Sequence, residues 1–175
     1  MTTLYRLDAA APAIAAHFGA RAGADPWTGG TVAPHQFAPV ITSGREEIAG
    51  PRPAGDPPRR LIPRLWGVPP PPSAFDAARL VLTVRNPGSP FWIGNLRNSE
   101  FRCLVPATAI MVWGRADPQT GKRRQHWFAP SDQTSRDQPL FAMAGVWKDS
   151  EIASMALFTC EACALLRECG QERMP

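Results

Sequence analysis

The sequence predicts an α+β fold, with a mainly antiparallel, barrel-like β-sheet and a few short helices. Three observations carry this. The apolar runs are of strand length and are separated by turn residues. The 20 prolines disfavour long helices and suit strands joined by rigid loops. The longest apolar, β-branched run, Glu100–Trp113, reads as a strand buried on both faces at the centre of a sheet. Along its first part Arg102, Leu104 and Pro106 face one way, and Cys103 and Val105 the other.

In chain order, Thr2–Leu7 reads as a first strand. Ala9–Phe18 reads as a helix with Asp8 as cap and Gly19 as stop, burying Ala11, Ile14, Ala15 and Phe18. Ala20–Thr31 is turn-rich, Phe37–Thr42 is a short strand, and Ser43–Arg59 is a loop rich in proline and charge. Arg60–Val68 is a strand ending in Trp-Gly, and Pro69–Pro72 continues it as an extended, rigid tract. Leu80–Arg85 is a strand. Pro87–Asn98 is a turn and short helix with Phe91, Trp92 and Leu96 inward. After the central run, Gln119–Lys122 is a hairpin turn and Arg123–Ala129 its return strand. Ser131–Gln138 is a polar loop, Leu140–Trp147 and Ser154–Cys160 are strands, and Glu161–Glu168 is a short helix.

The 175 residues, 44% hydrophobic, suffice for one domain with a real core. The formal charge is +4, and most of the 19 basic residues are arginine, whose planar fork suits phosphate oxygens. No window approaches the roughly 18 apolar residues of a membrane span, and M-T-T-L-Y-R-L-D has no apolar signal core. A cytoplasmic protein without membrane association, with reduced cysteines and monomeric, is expected. Cys160-x-x-Cys163 and Cys169 fall short of a four-ligand zinc set, because no second pair follows and the histidines lie far off in sequence. No metal and no cofactor are expected.

The motifs then come in a recognisable order: W-G-V-P-P-P-P, V-R-N-x-x-S-P-F-W, R-C-L-V-P-A-T, G-K-x-x-x-x-W-F, P-L-F-A-M-A-G-V-W, F-T-C-E-A and E-R-M-P. In this order, and with the opening L-Y-R-L, the chain resembles the SOS-response-associated peptidase (SRAP) family of abasic-site-processing proteins, from Thr2 to Pro175. The resemblance implies one SRAP-like domain over 1–175, shortened at its C-terminus, where an unpartnered sheet edge is expected. It also implies self-processing peptidase and abasic-site lyase activity, with single-stranded DNA as partner. In such proteins the α-amine and thiol of a Cys at residue 2 capture the ring-opened aldehyde of an abasic site as a thiazolidine. An Asn, a Glu and a His serve orientation and proton transfer.

Carried onto this chain, the nucleophile position is Thr2, the Asn position Thr83, the Glu position Val112 and the His position Gln171. All four are substituted. Trp66, Arg85, Trp113, Trp147, Pro39, Cys103 and Pro106 match the pattern, and Trp66, Arg85 and Trp113 are the candidate DNA-binding residues. The basic cluster Lys122–Arg124 reads most simply as a solvated hairpin tip. Threonine's hydroxyl closes only the weaker oxygen analogue of the ring, whereas the Thr2 amine, with a pKa of ~7.7–8, can still form a Schiff base. General acid–base help is worth ~10²–10⁴-fold, and neither Val112 nor Gln171 can titrate. The expectation is therefore a DNA-binding member without stable cross-linking. The alternatives are a Schiff-base lyase using the Thr2 amine, or a non-functional remnant.

Overall fold

The structure, a computed structural model, describes residues 4–45, 55, 57–71, 79–131, 139–149 and 151–175. It opens with β1 (Leu4–Leu7), α1 (Ala11–Phe18), β2 (Ala20–Arg21), β3 (Gly30–Val32), β4 (Phe37–Thr42) and β5 (Arg59–Trp66). Next come β6 (Thr83–Val84), α2 (Pro90–Arg97), β7 (Arg102–Ala107), β8 (Ala109–Ala116) and β9 (Arg123–Phe128). The chain closes with β10 (Phe141–Lys148), β11 (Ser154–Phe158), β12 (Cys160–Glu161), α3 (Ala164–Glu168) and β13 (Arg173–Met174).

Five strands close a barrel in the order β5-β4-β7-β10-β11 and back to β5. Four of its joins are antiparallel. The closing join is parallel, with Ser154 opposite Leu65 and Met155 opposite Trp66. The barrel is thus mixed, in a fold whose sheets are mostly antiparallel, as the α+β expectation required. A second sheet runs β3-β1-β8-β9, and β12 pairs with β13 in a small ribbon. Closure removes the open edges that a five-stranded sheet would otherwise expose.

The Glu100–Trp113 run is not one central strand. It is two strands, β7 in the barrel wall and β8 in the second sheet. The switch falls at Thr108, whose backbone N–H donates to the Arg6 carbonyl (2.7 Å) and whose Oγ1 accepts from the Asp8 N–H (3.1 Å). These bonds to the end of β1 draw the chain out of one sheet and into the other. The expected alternation holds for Arg102–Val105, with Cys103 and Val105 buried and Arg102 and Leu104 exposed, so β7 is not buried on both faces there; Pro106, expected beside Arg102 and Leu104, is buried.

Helix α1 buries Ala11, Ile14 and Ala15 and stops at Gly19, which takes a left-handed φ of 61°. Asp8 is not its cap. Ala10 holds that place without a side-chain bond, and Pro12 lies in the first turn. The turn-rich stretch 20–31 contributes two short strands, β2 and the start of β3. The expected strand Leu80–Arg85 is shorter, with β6 preceded by one bridge between Val81 and Val68. Glu161 belongs to β12, so α3 is shorter than expected. The last strand, β13, does have a partner: Met174 lies opposite Cys160 and Arg173 opposite Glu161. Most of the 43–59 loop, the end of the Pro69–Pro72 tract and nearly all of the 131–138 loop lie outside the described residues.

The main core is centred on Tyr5, Leu7, Val40, Leu61, Trp66, Val105 and Met155, all but inaccessible. Trp66 packs against Tyr5 with ring centroids 5.3 Å apart, and its Nε1 donates to the Leu82 carbonyl (3.2 Å). Trp92 and Trp147 are buried as well, Trp92 facing inward as expected.

Candidate nucleic-acid interface

The site is built on the hairpin of β8 and β9 and on the C-terminal ribbon that packs beside it. The hairpin is registered with Val112 opposite His126 and Trp113 opposite Gln125. Then Ala116 lies opposite Arg123, three steps along β8 for two along β9. The extra residue is a bulge, which bends the strand and re-aims the side chains beyond it. At the tip, Asp117 Oδ1 accepts the N–H of Gln119 (2.9 Å) and of Thr120 (2.8 Å), and these bonds hold its carboxyl below the usual range. Gly121, at φ 68°, completes the turn.

Beyond the bulge lies a cleft of about 500 Å³ lined by Arg115, Asp117, Thr120, Lys122, Arg123, Arg124 and His126. Four permanent cations there meet one carboxylate. A second cleft, of about 560 Å³, is lined by Arg115, Glu161, Arg167, Gly170, Gln171 and Glu172. Arg115 belongs to both. Its chain lies over Gly170, where a Cβ would stand 2.9 Å from Arg115 Cγ. Gly170 (φ 81°) is thus required both by its backbone and by the arginine above it.

Gln171 joins the ribbon to β8. Its Nε2 donates to the Trp113 carbonyl (2.7 Å) and its backbone N–H to the Leu166 carbonyl (3.0 Å), with the residue only 8% exposed. Val112, inaccessible to solvent, packs in a small core with Ala162 and Leu166. Two residues on, Arg173 reaches Thr159, with Nε donating to Oγ1 (2.9 Å) and Nη2 to the carbonyl (2.5 Å). Thr159 in turn donates to the Val84 carbonyl from its N–H (3.1 Å) and its Oγ1 (3.3 Å). The ribbon therefore ties β6, which carries Thr83 and leads to Arg85, to β8, which carries Val112 and Trp113.

The seven residues singled out in the sequence are placed as follows. Trp113 and Gln171 are in direct contact, and Val112 lies under the same ribbon. Thr83, half-buried in β6, and the exposed Arg85 are linked to them through Thr159 and Arg173. Thr2 lies outside the described residues. Leu4, the first described residue, is opposite Met111, so β1 starts next to Val112 in register. Trp66 stands apart: it is fully buried against Tyr5, so neither ring face is open to a base. Trp113 is half-buried, as are Trp127 and Phe128 on the facing strand.

Sequence reasoning missed Arg115, Arg123, Arg124 and His126 as a lining. Lys122, Arg123 and Arg124 are exposed, as expected of a solvated tip, and they also line one side of the cleft. The signal was the hairpin itself, which brings His126 opposite Val112 although fourteen positions separate them. Cys160 and Cys163 are exposed, Cys169 is half-buried, and among the described residues no group of three or more His, Cys, Asp or Glu side chains is placed to hold a metal. Among the same residues no helix is long and apolar enough to cross a membrane.

No family model matches the chain, and no curated protein matches it in sequence. Solved structures do. A crystal structure of a protein from Bacteroides thetaiotaomicron is similar at TM-score 0.69 and 19% identity, covering 99% of this chain and 75% of that one. One from Bordetella bronchiseptica gives 0.66 at 20% identity, covering 98% and 81%. A phage-related protein from the same organism gives 0.60 at 13%, covering 90% and 68%. At these identities the likeness shows a shared fold.

Proposed function

We propose that this chain binds single-stranded DNA, including strands with abasic sites, without forming the stable thiazolidine cross-link of SRAP proteins. The observation that carries the reading is the pair of adjoining clefts that share Arg115, one walled by Lys122, Arg123 and Arg124, beside the half-buried Trp113. Such a surface offers guanidinium groups for phosphates and an aromatic face for a base. The resemblance to SRAP proteins supplies the partner. The absence of cross-linking follows from the side chains: Thr2 has no thiol, Val112 is buried and apolar, and Gln171 spends its amide on the Trp113 carbonyl. Fluorescence polarisation of a labelled oligonucleotide tests the reading. Salt-sensitive binding is expected, and no polarisation change at low salt would refute it.

A second reading, an imine-forming lyase using the Thr2 amine, draws on one observation. β1 starts opposite Met111, next to Val112 in register, and His126 lies opposite Val112 in the next strand. An aldehyde held there would condense with a neutral amine, losing water to give a Schiff base. Borohydride treatment of the protein with an abasic oligonucleotide tests it: a trapped adduct that disappears when the N-terminus is blocked is the expected product, and no adduct rules it out.

A further inference from the structure

The barrel has a thin seam. β4 is registered with β5 along Phe37–Thr42, and β7 with β10 along Arg102–Ala107, but β4 and β7 are registered with each other only at Ile41 and Leu104. Past that pair the strands part, and a cleft of about 260 Å³ opens between them. Arg59 and Arg102 stand on its walls. Each guanidinium is steadied by a backbone carbonyl, Arg59 Nη1 donating to Phe18 (3.2 Å) and Arg102 Nη2 to Leu96 (3.0 Å). A guanidinium has five donors in a fixed fork, so one anchoring bond orients it and still permits bidentate recognition. Ser43 also lines the cleft, and its hydroxyl is buried without a hydrogen-bond partner among the described residues. A buried, unpartnered hydroxyl is costly unless something completes it.

Of the other lining residues Ile41, Cys103 and Leu104 are apolar, and Thr42 is buried with its Oγ1 donating to the Arg60 carbonyl (3.3 Å). Leu104 is 37% exposed, a large apolar side chain showing itself in mid-strand, and Ile41 lies opposite it. Cys103 contributes a neutral thiol, since burial pushes its pKa up to about 12. Among the described residues that line the cleft there is no carboxylate. Two oriented guanidiniums, an unsatisfied hydroxyl and an exposed leucine make a pattern distinct from the clefts around Arg115, and they lie on the barrel wall rather than on the second sheet and the C-terminal ribbon.

We propose that the β4–β7 seam binds a small molecule carrying one oxyanion on an apolar body, with Arg59, Arg102 and Ser43 holding the anion and the exposed Leu104 the body. Aromatic and short aliphatic carboxylic acids fit that chemistry, and benzoate is the simplest probe. The inference stands independently of the DNA reading.

The test is an amide-resolved NMR titration of the full chain with benzoate, with acetate as the probe lacking the apolar body. Saturable shifts at Ser43, Arg102 and Leu104 are expected, with acetate binding more weakly. Arg102→Gln is expected to weaken benzoate about tenfold or more, the loss of one charge-assisted grip. Leu104→Ser, which leaves both charges in place, is expected to bring benzoate down towards acetate. Both side chains are exposed, and unchanged spectra away from the seam show that each variant is folded. No saturable shift at the seam with benzoate overturns the proposal. So do shifts undiminished in Arg102→Gln, and seam shifts that arise only with a single-stranded oligonucleotide, which would assign the arginines to the nucleic-acid backbone.

Discussion

Replacing Gln171 by Ala tests the contact that assembles the candidate site. The Gln171 amide donates to the Trp113 carbonyl at 2.7 Å in a nearly closed environment. Truncation removes that donor, and a buried carbonyl left without its partner costs about 1–3 kcal/mol. For a chain of this length each kcal/mol moves Tm by roughly 2–4 °C, so a fall of roughly 2–12 °C is expected. Scanning calorimetry of the parent and of Gln171→Ala reads this directly. Gln171→Glu sharpens the test. An ionised carboxylate facing a carbonyl oxygen repels it, whereas the protonated acid can donate. The folded state thus raises this carboxyl's pKa, and the deficit of Gln171→Glu is present at neutral pH and shrinks as pH falls through that raised value. A Gln171→Ala variant that melts with the parent, or a Gln171→Glu deficit that ignores pH, would refute the ribbon-to-β8 tie.

Three further outcomes follow from the same structure. Trp66→Ala should cost about 3–5 kcal/mol in denaturant unfolding, because the ring is wholly enclosed, while Trp113→Ala should spare stability more and weaken oligonucleotide binding by ~1–3 kcal/mol. Of the four cysteines, Cys160, Cys163 and Cys169 should react with a thiol reagent in the native protein, whereas Cys103, buried and with its pKa near 12, should react only on unfolding. The hairpin tip should loosen in acid: Asp117's carboxyl is held low by the Thr120 and Gln119 amides, so its contribution is full above the ordinary Asp value and is lost as pH falls through the lowered one. The Gln119 and Thr120 amide resonances report this, and Asp117→Asn should flatten the titration.

How much could be read beforehand differs from element to element. Gly19 as the stop of α1, the alternation at the start of β7 and the turn before β9 were legible, because each is set by local backbone chemistry or by a two-residue period. The split at Thr108 was not. Nothing in A-T-A-I-M distinguishes one long strand from two, and the decision is made by Arg6 and Asp8, about a hundred residues away in sequence. β2 and the start of β3 escaped notice because strands this short have no period, and pairing partners alone create them. Asp8 looked like a cap, but its N–H is bound by Thr108 and the helix starts later. Trp66 and Trp113 both precede glycine, and the sequence treats them alike; in the structure Trp66 ends β5, whereas Trp113 lies inside β8, which runs on to Ala116. Barrel closure encloses the first, and the second sheet leaves the second half-open. The basic cleft depends on a bulge and on Gly170 beneath Arg115, and both are properties of packing.

The central claim is that phosphates are gripped along the cleft beyond the β8 bulge. Its most direct test is the salt dependence of binding to a labelled single-stranded oligonucleotide, measured for the parent and for a variant carrying Arg123→Gln and Arg124→Gln. Each phosphate neutralised adds about 0.7 to the magnitude of the slope of log K against log salt for single strands. If Arg115, Lys122, Arg123 and Arg124 each neutralise one, the parent slope is about −2.8 and that of the double variant about −1.4. A slope that is unchanged in the double variant, or a parent that does not bind at low salt, would contradict the account.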